Sequence, residues 1–335
     1  MKRFICTNAF PFCCAYSPQT QSASVETNID DMPQVLITTL STAPLPALLD
    51  IASKHKSLAK CIRQLLRARV SKVVSYYLHR QADNFIKLVG RLQGVFIGYA
   101  VLDFVNGKWE NIETERPQCY PLEVVMDNLA VDEAITFFID NNDNPIPITI
   151  DNNPGALLKT SCVHVVQVGN EDVSKIFTEH YSDQPQLHVC QLFIKIYGTS
   201  ETSVFPLLLN MNLTTFANGF TPASFFTFYP SHLLSNKTCI AGYEFLRLVD
   251  KDTQHKHEMV LMGKGFNLEF AHTTTNSDPA YECPRLRRRA NDLTGTYVYT
   301  WGVNESSIDD FVERSMLQTP YAWINGAACV GTCCR

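Results

Sequence analysis

The chain has 335 residues, of which 45% are hydrophobic and 18% charged, which suits one large globular body or two ordinary ones and is too apolar for a disordered chain. A net charge of -5 gives no overall electrostatic case for nucleic-acid binding. No window approaches about 18 consecutive apolar residues, so neither a transmembrane helix nor a membrane partner is expected.

In chain order, residues 1–32 are polar, rich in Ser, Thr and Gln, and are expected to be a disordered leader. The start, MKRFICTNAFPFCCAYS, sets two basic residues before an apolar run, as a signal peptide does. Thr7, Asn8 and Pro11 interrupt that run and no small-residue cleavage site follows, so the chain is read as intracellular, cytoplasmic or nuclear. From Pro44, PLPALLDIASKHKSLAKCIRQLLRARVSKVVSYYL has apolar residues at helical spacing, which predicts two or three helices over 46–80 within a helical segment 33–80.

Asp83 or Asn84 can cap a further helix whose apolar face is Phe85, Ile86, Leu88, Val89 and Leu92, ended by Gly94. Gly94 to Gly98 reads as a short buried strand or loop, Tyr99 to Val105 as a helix, and Asn106-Gly107 as a turn. Pro121 suits the first turn of a helix from Leu122 to Ala130. ITFFI, PIPITI, SCVHVVQV and QLHVCQLFIKIYG are strand-like. NEDVSKIFTEH reads as a helix with Val173, Ile176 and Phe177 on one face. FANGFTPASFFTFYP reads as helical or irregular turns, MVLMGKGF as a hairpin turn or strand bulge, and Arg285 to Arg289 as a basic helix. The fold class is α/β or α+β, a mixed sheet flanked by helices behind a short helical segment.

Chemistry-bearing residues are scattered. Of twelve cysteines the central ones suit buried thiols, while the end, CVGTCCR, could bind metal or pair with the FCC near the start. No C-x-x-C has a partner pair, so no zinc site is predicted. His255 and His257 fall in the polar stretch DKDTQHKHE and read as an exposed loop. The sequons at Asn212, Asn236 and Asn304 read as chance matches.

The stretch that stands out is VFIGYAVL, a strand running through Gly98 into a helix, followed by GKWENIETERP with Glu113 and Glu115 at i, i+2. A nucleotidyl-transfer site needs a glycine and a small hydroxyl opening a helix, whose N–H groups hold a phosphate. It also needs two carboxylates at i, i+2 on one face of a strand, and a third on a neighbouring strand, to share magnesium.

These phrases, with LLLNMNLTTFANGFTPASFFTFYPSHL, GKGF and ECPRLRRRANDLTG in the same order, resemble a family of mushroom-fungal (Agaricomycete) proteins. Its members have a degenerate nucleotidyltransferase-like domain behind F-box-like, leucine-rich N-terminal helices. The likeness covers roughly residues 33–300 and implies an F-box-like segment 33–80, a nucleotidyltransferase-like domain 81–300 and a tail 301–335. It places Gly98 and Tyr99 at the phosphate turn and Glu113 and Glu115 at the metal. Tyr99 stands where the small hydroxyl belongs, and each Glu shifts its carboxylate by about 1.5 Å relative to Asp, against magnesium's near-octahedral demand. QLHVCQLFIKIYG, where the third carboxylate belongs, has His188 and Lys195 instead. The expectation is a non-catalytic protein that binds a nucleotide or, through its N-terminal helices, a protein partner. The alternatives are an active magnesium-dependent nucleotidyltransferase and a ubiquitin-ligase adaptor whose Leu45, Leu48, Leu49 and Ile51 form an exposed patch.

Overall fold

The computed structural model describes residues 29, 32–107, 120–141, 144–148, 160–168, 176–179, 186–189, 192–199, 203–209, 213–239, 258–269, 288–289, 296–301, 312 and 322–323. Glu113, Glu115, Asn212, His255, His257 and the terminal CVGTCCR lie outside these residues.

Four helices open the described chain: α1 (Gln34–Thr42), α2 (Leu45–Lys54), α3 (Ala59–Leu78) and α4 (Ala82–Arg91). Pro46 fits the first turn of α2, where its missing N–H has no helical partner to lose. On α3 the buried side chains Ile62, Leu65, Leu66, Val70, Val73, Val74 and Tyr77 recur at three and four residues, one apolar stripe. Arg69 breaks the stripe and is 2% exposed. Its guanidinium donates to the carbonyls of Phe104 (3.0 Å), Ser41 (2.9 Å) and Ala43 (2.7 Å), and burial lowers its pKa to about 10.

β1 (Val95–Ile97), α5 (Tyr99–Asn106), β2 (Leu122–Asp127), α6 (Asn128–Asp140), β3 (Asn144–Ile148) and β4 (Thr160–Val168) follow. Then come β5 (Ile176–Glu179), β6 (Gln186–Val189), β7 (Leu192–Thr199), α7 (Phe205–Leu209), β8 (Asn218–Phe220), β9 (Ser224–Thr227), α8 (Pro230–Leu234) and β10 (Lys237–Cys239). A short helix over 258–263 precedes β11 (Asn267–Glu269), β12 (Arg288–Arg289), β13 (Tyr297–Thr300) and β14 (Ala322–Trp323). Eight strands form one sheet in the order β13-β9-β8-β1-β2-β7-β4-β3. Every neighbouring pair in it is antiparallel except β2 and β7, which run parallel. A parallel pair needs a long crossover, and α6 leaves β2 to begin it.

The two-residue alternation of the strands separates two cores. Phe96, Leu122, Val124, Met126, Ile194 and Ile196 face the larger one, which also holds Leu45, Leu48, Leu66, Phe104 and Trp301. The N-terminal helices and the sheet therefore share a single core. Val95, Ile97, Val125 and Tyr197 face a smaller core with Phe205, Leu208, Phe226 and Phe228. Among the described residues no helix is long and apolar enough to cross a membrane.

Several expectations are corrected. Of the helix expected from Leu122 to Ala130, Leu122 to Asp127 is a strand: the β-branched pair Val124 and Val125 belongs to β2, and the Asp127 carboxylate accepts from the Leu129 N–H (2.8 Å) to start α6 at Asn128. ITFFI is not a strand but the end of α6, whose buried Val131, Ala134 and Phe138 have helical spacing. The described part of NEDVSKIFTEH is β5, paired with β6, and QLHVCQLFIKIYG divides into β6 and β7. FANGFTPASFFTFYP contains the β8–β9 hairpin, closed where the Thr221 hydroxyl accepts from the N–H groups of Ala223 (3.2 Å) and Ser224 (3.0 Å). Arg288 and Arg289 form a strand against β14 rather than a helix. MVLMGKGF is the end of a short helix that turns at Gly265 (φ 83°) into β11.

Candidate functional site

Gly98 joins β1 to α5 with φ 75° and ψ -150°, a region glycine enters without strain. The antiparallel register places Ile97 opposite Glu123, so the Glu123 side chain stands beside the turn. A Cβ at Gly98 would lie 1.9 Å from Glu123 Oε2 and 3.0 Å from its Cδ. The carboxyl group thus packs directly on the backbone at the head of α5.

β7 supplies the other neighbours of Glu123. The Tyr197 hydroxyl donates to Glu123 Oε1 at 2.6 Å, and Lys195 is the parallel register partner of Glu123. Burial raises the Glu123 pKa, and the Tyr197 bond and the Lys195 charge draw it only partly back. The Tyr197 hydroxyl is pushed far up, first by burial and then by the Glu123 charge. Burial and the same charge push the Tyr99 hydroxyl up as well.

Tyr99 packs its ring between those of Tyr120 (5.2 Å) and Phe216 (5.0 Å) and is 9% exposed. One turn on, Asp103 accepts from both the Tyr120 hydroxyl and the Lys264 ammonium. Lys264 Nζ lies 2.5 Å from the Tyr120 oxygen and 4.2 Å from the centre of its ring. Asn106 donates to the Lys264 carbonyl at 2.7 Å, and Tyr77 to the Tyr120 carbonyl at 3.3 Å. Burial, then the Asp103 charge, raises the pKa of Tyr77 and Tyr120. The GKGF segment thus fastens α5 and the start of β2 to the short helix over 258–263.

Of the residues singled out beforehand, Gly98 and Tyr99 meet at this junction, while Glu113 and Glu115 lie outside the described residues. His188 belongs to the separate β5–β6 pair, opposite Phe177. Tyr229 is fully buried, its ring stacked on His232 at 5.9 Å. Glu123, Asp103, Tyr120 and Tyr197 were not anticipated. Taking Pro121 as a helix start removed Glu123 from the sheet, although the β-branched run after it was the signal for a strand.

At the Gly98 turn the described residues present the Glu123 carboxyl group, held by the Tyr197 hydroxyl, with Lys195 as its register partner. Among the described residues no three His, Cys, Asp or Glu side chains converge as metal ligands.

A pH dependence follows from Glu123. Its folded pKa lies above the unfolded carboxylate value of about 4.3. Its contribution to stability is therefore complete below that value and is lost as pH rises through the folded pKa. Glu123→Gln keeps an acceptor for Tyr197 and stays neutral. It should unfold at higher urea than wild type at pH 7, with the difference shrinking towards pH 4.

No family model matches the chain, and no curated protein and no solved structure is significantly similar to it.

Proposed function

We propose that this chain is a non-catalytic protein of nucleotidyltransferase-like fold that serves to bind a protein partner. The observation that carries this reading is the Glu123 carboxyl group seated on Gly98, at the helix head where a transferase would hold a nucleotide phosphate. The succession β1, Gly98, α5, antiparallel β2 and then parallel β7 supports the fold. Lys195 on β7 supports loss of catalysis, since a cation there opposes the metal that in-line attack on an α-phosphate requires.

The partner reading takes its surface from the N-terminal helices. Leu45 and Leu48 are 0% exposed and Leu49 8%, and Ile51 packs against the same core, so the leucine face does not serve as the adaptor patch. The apolar side chains that α1 turns outward are Val35 (80% exposed) and Leu36 (40%).

The test is pyrophosphate release from each of the four nucleoside triphosphates with magnesium and candidate hydroxyl acceptors. The expected result is no release above the protein-free blank. Release that disappears in Glu123→Gln, or in Glu113→Gln/Glu115→Gln, would establish the transferase reading instead.

A further inference from the structure

The short helix over 258–263 turns two methionines to solvent. Met259 is 51% exposed and Met262 63%, whereas Met126 is 0% exposed and Met32 8%. Three residues apart, the two thioethers lie on one helix face. The end of the helix fixes which way that face points. The Phe266 N–H donates to the Leu261 carbonyl at 2.8 Å and the Gly265 N–H to the Met262 carbonyl at 2.9 Å, with Gly265 at φ 83°. This pair of bonds around a glycine at positive φ is a Schellman cap, which sets one apolar residue before the turn and one after it on the same side. Here those residues are Leu261 and Phe266, and both enter the larger core, with Val260 packed partly buried against it. The Asn106 bond to the Lys264 carbonyl and the Lys264 ammonium on Asp103 fasten the same segment. Beside the outward face, a Cβ on Gly263 or Gly265 would meet no atom within 4 Å, so a small solute has open access to it.

We propose that Met259 and Met262 form a paired oxidation site, at which a peroxide converts each thioether to its sulfoxide while the chain stays folded. In each step the sulfur attacks one peroxide oxygen, the S–O bond forms and the O–O bond breaks. Sulfur gives up two electrons, and the proton on the transferred oxygen passes to the departing hydroxide, which leaves as water. The product is a polar, chiral side chain in place of an apolar one. On the outward face of this helix water solvates the new oxygen, so the change costs the fold little. At Met126, inside the larger core, the same oxygen would be buried among apolar side chains. The site needs neither nucleotide nor partner and goes beyond the function proposed above.

The test is a timed reaction of the full chain with hydrogen peroxide, quenched and read residue by residue by peptide mass spectrometry. Met259 and Met262 should gain one oxygen each at least about tenfold faster than Met126 and Met32, because sulfur oxidation follows exposure. In concentrated urea the four rates should converge, since the fold makes the difference. Urea unfolding of the protein oxidised at both positions should keep the midpoint of the untreated chain, as should unoxidised Met259→Gln/Met262→Gln, which places a polar side chain of similar length at each position. Equal rates at all four methionines in the folded chain would overturn the proposal, as would a rate difference that survives in urea. So would a fall in the midpoint on oxidation that is absent when Met259→Leu/Met262→Leu is treated alike, because the two thioethers would then be holding the fold.

Discussion

Lys264→Met should destabilise the protein by about 3–5 kcal/mol, the usual consequence of leaving one member of a buried ion pair without its partner. The Lys264 and Asp103 side chains are 13% and 10% exposed, and the Tyr120 hydroxyl occupies the remaining side of the carboxylate. Without the ammonium, Asp103 is left with one hydroxyl donor in a largely dry place, and the Lys264 stem no longer covers the Tyr120 ring. The double variant Lys264→Met/Asp103→Asn should recover more than half of the loss, since it removes the buried charge along with its partner. Urea unfolding of the two single variants and the double checks this. Equal destabilisation in the single and double variants would mean that the pair acts through packing alone.

Phe104→Ala should cost about 3–5 kcal/mol, as truncations of fully buried rings do. Phe104 is 0% exposed and lies at the meeting point of helices and sheet. Its ring is 5.0 Å from that of Phe220, 5.9 Å from Phe225 and 5.5 Å from Trp301. On another side the Arg69 guanidinium sits 5.9 Å from the ring centre. Because strands β8 and β9, helix α3 and the Trp301 segment all close on this one ring, collapse around the cavity is restricted and the upper half of the range is expected. Phe104→Leu should lose much less. The denaturation midpoint of each variant measures the difference.

How much of this was legible depended on whether a signal was local. The helices α2 and α3 follow from the spacing of Leu45, Leu48 and Leu49 and of Ile62, Leu65 and Leu66, which any helical arrangement of this chain must bury. The strand–Gly98–helix junction was equally local: a three-residue apolar strand, a glycine at positive φ, and an apolar helix. β2 was misread because Pro121 is as acceptable before a strand as in a first helical turn, and only pairing with β1 and β7 decides between them. The end of α6 was misread because a run such as Ile135 to Ile139 is too short to separate helix from strand by pattern. The candidate site itself was the least legible part. Glu123 acquires its character from Tyr197, 74 residues away, and Asp103 from Lys264, 161 residues away, distances across which pattern carries no information.

On the function proposed here, the Glu123 carboxyl group occupies the place at the head of α5 where a nucleotide phosphate would sit. Calorimetric titration of the four nucleoside triphosphates into the full-length protein, with and without magnesium, tests it most directly. No binding heat is expected at millimolar nucleotide in either condition. Saturable, magnesium-dependent heat that disappears in Glu123→Gln would contradict it, because Glu123 would then be holding a metal and nucleotide instead of closing the turn.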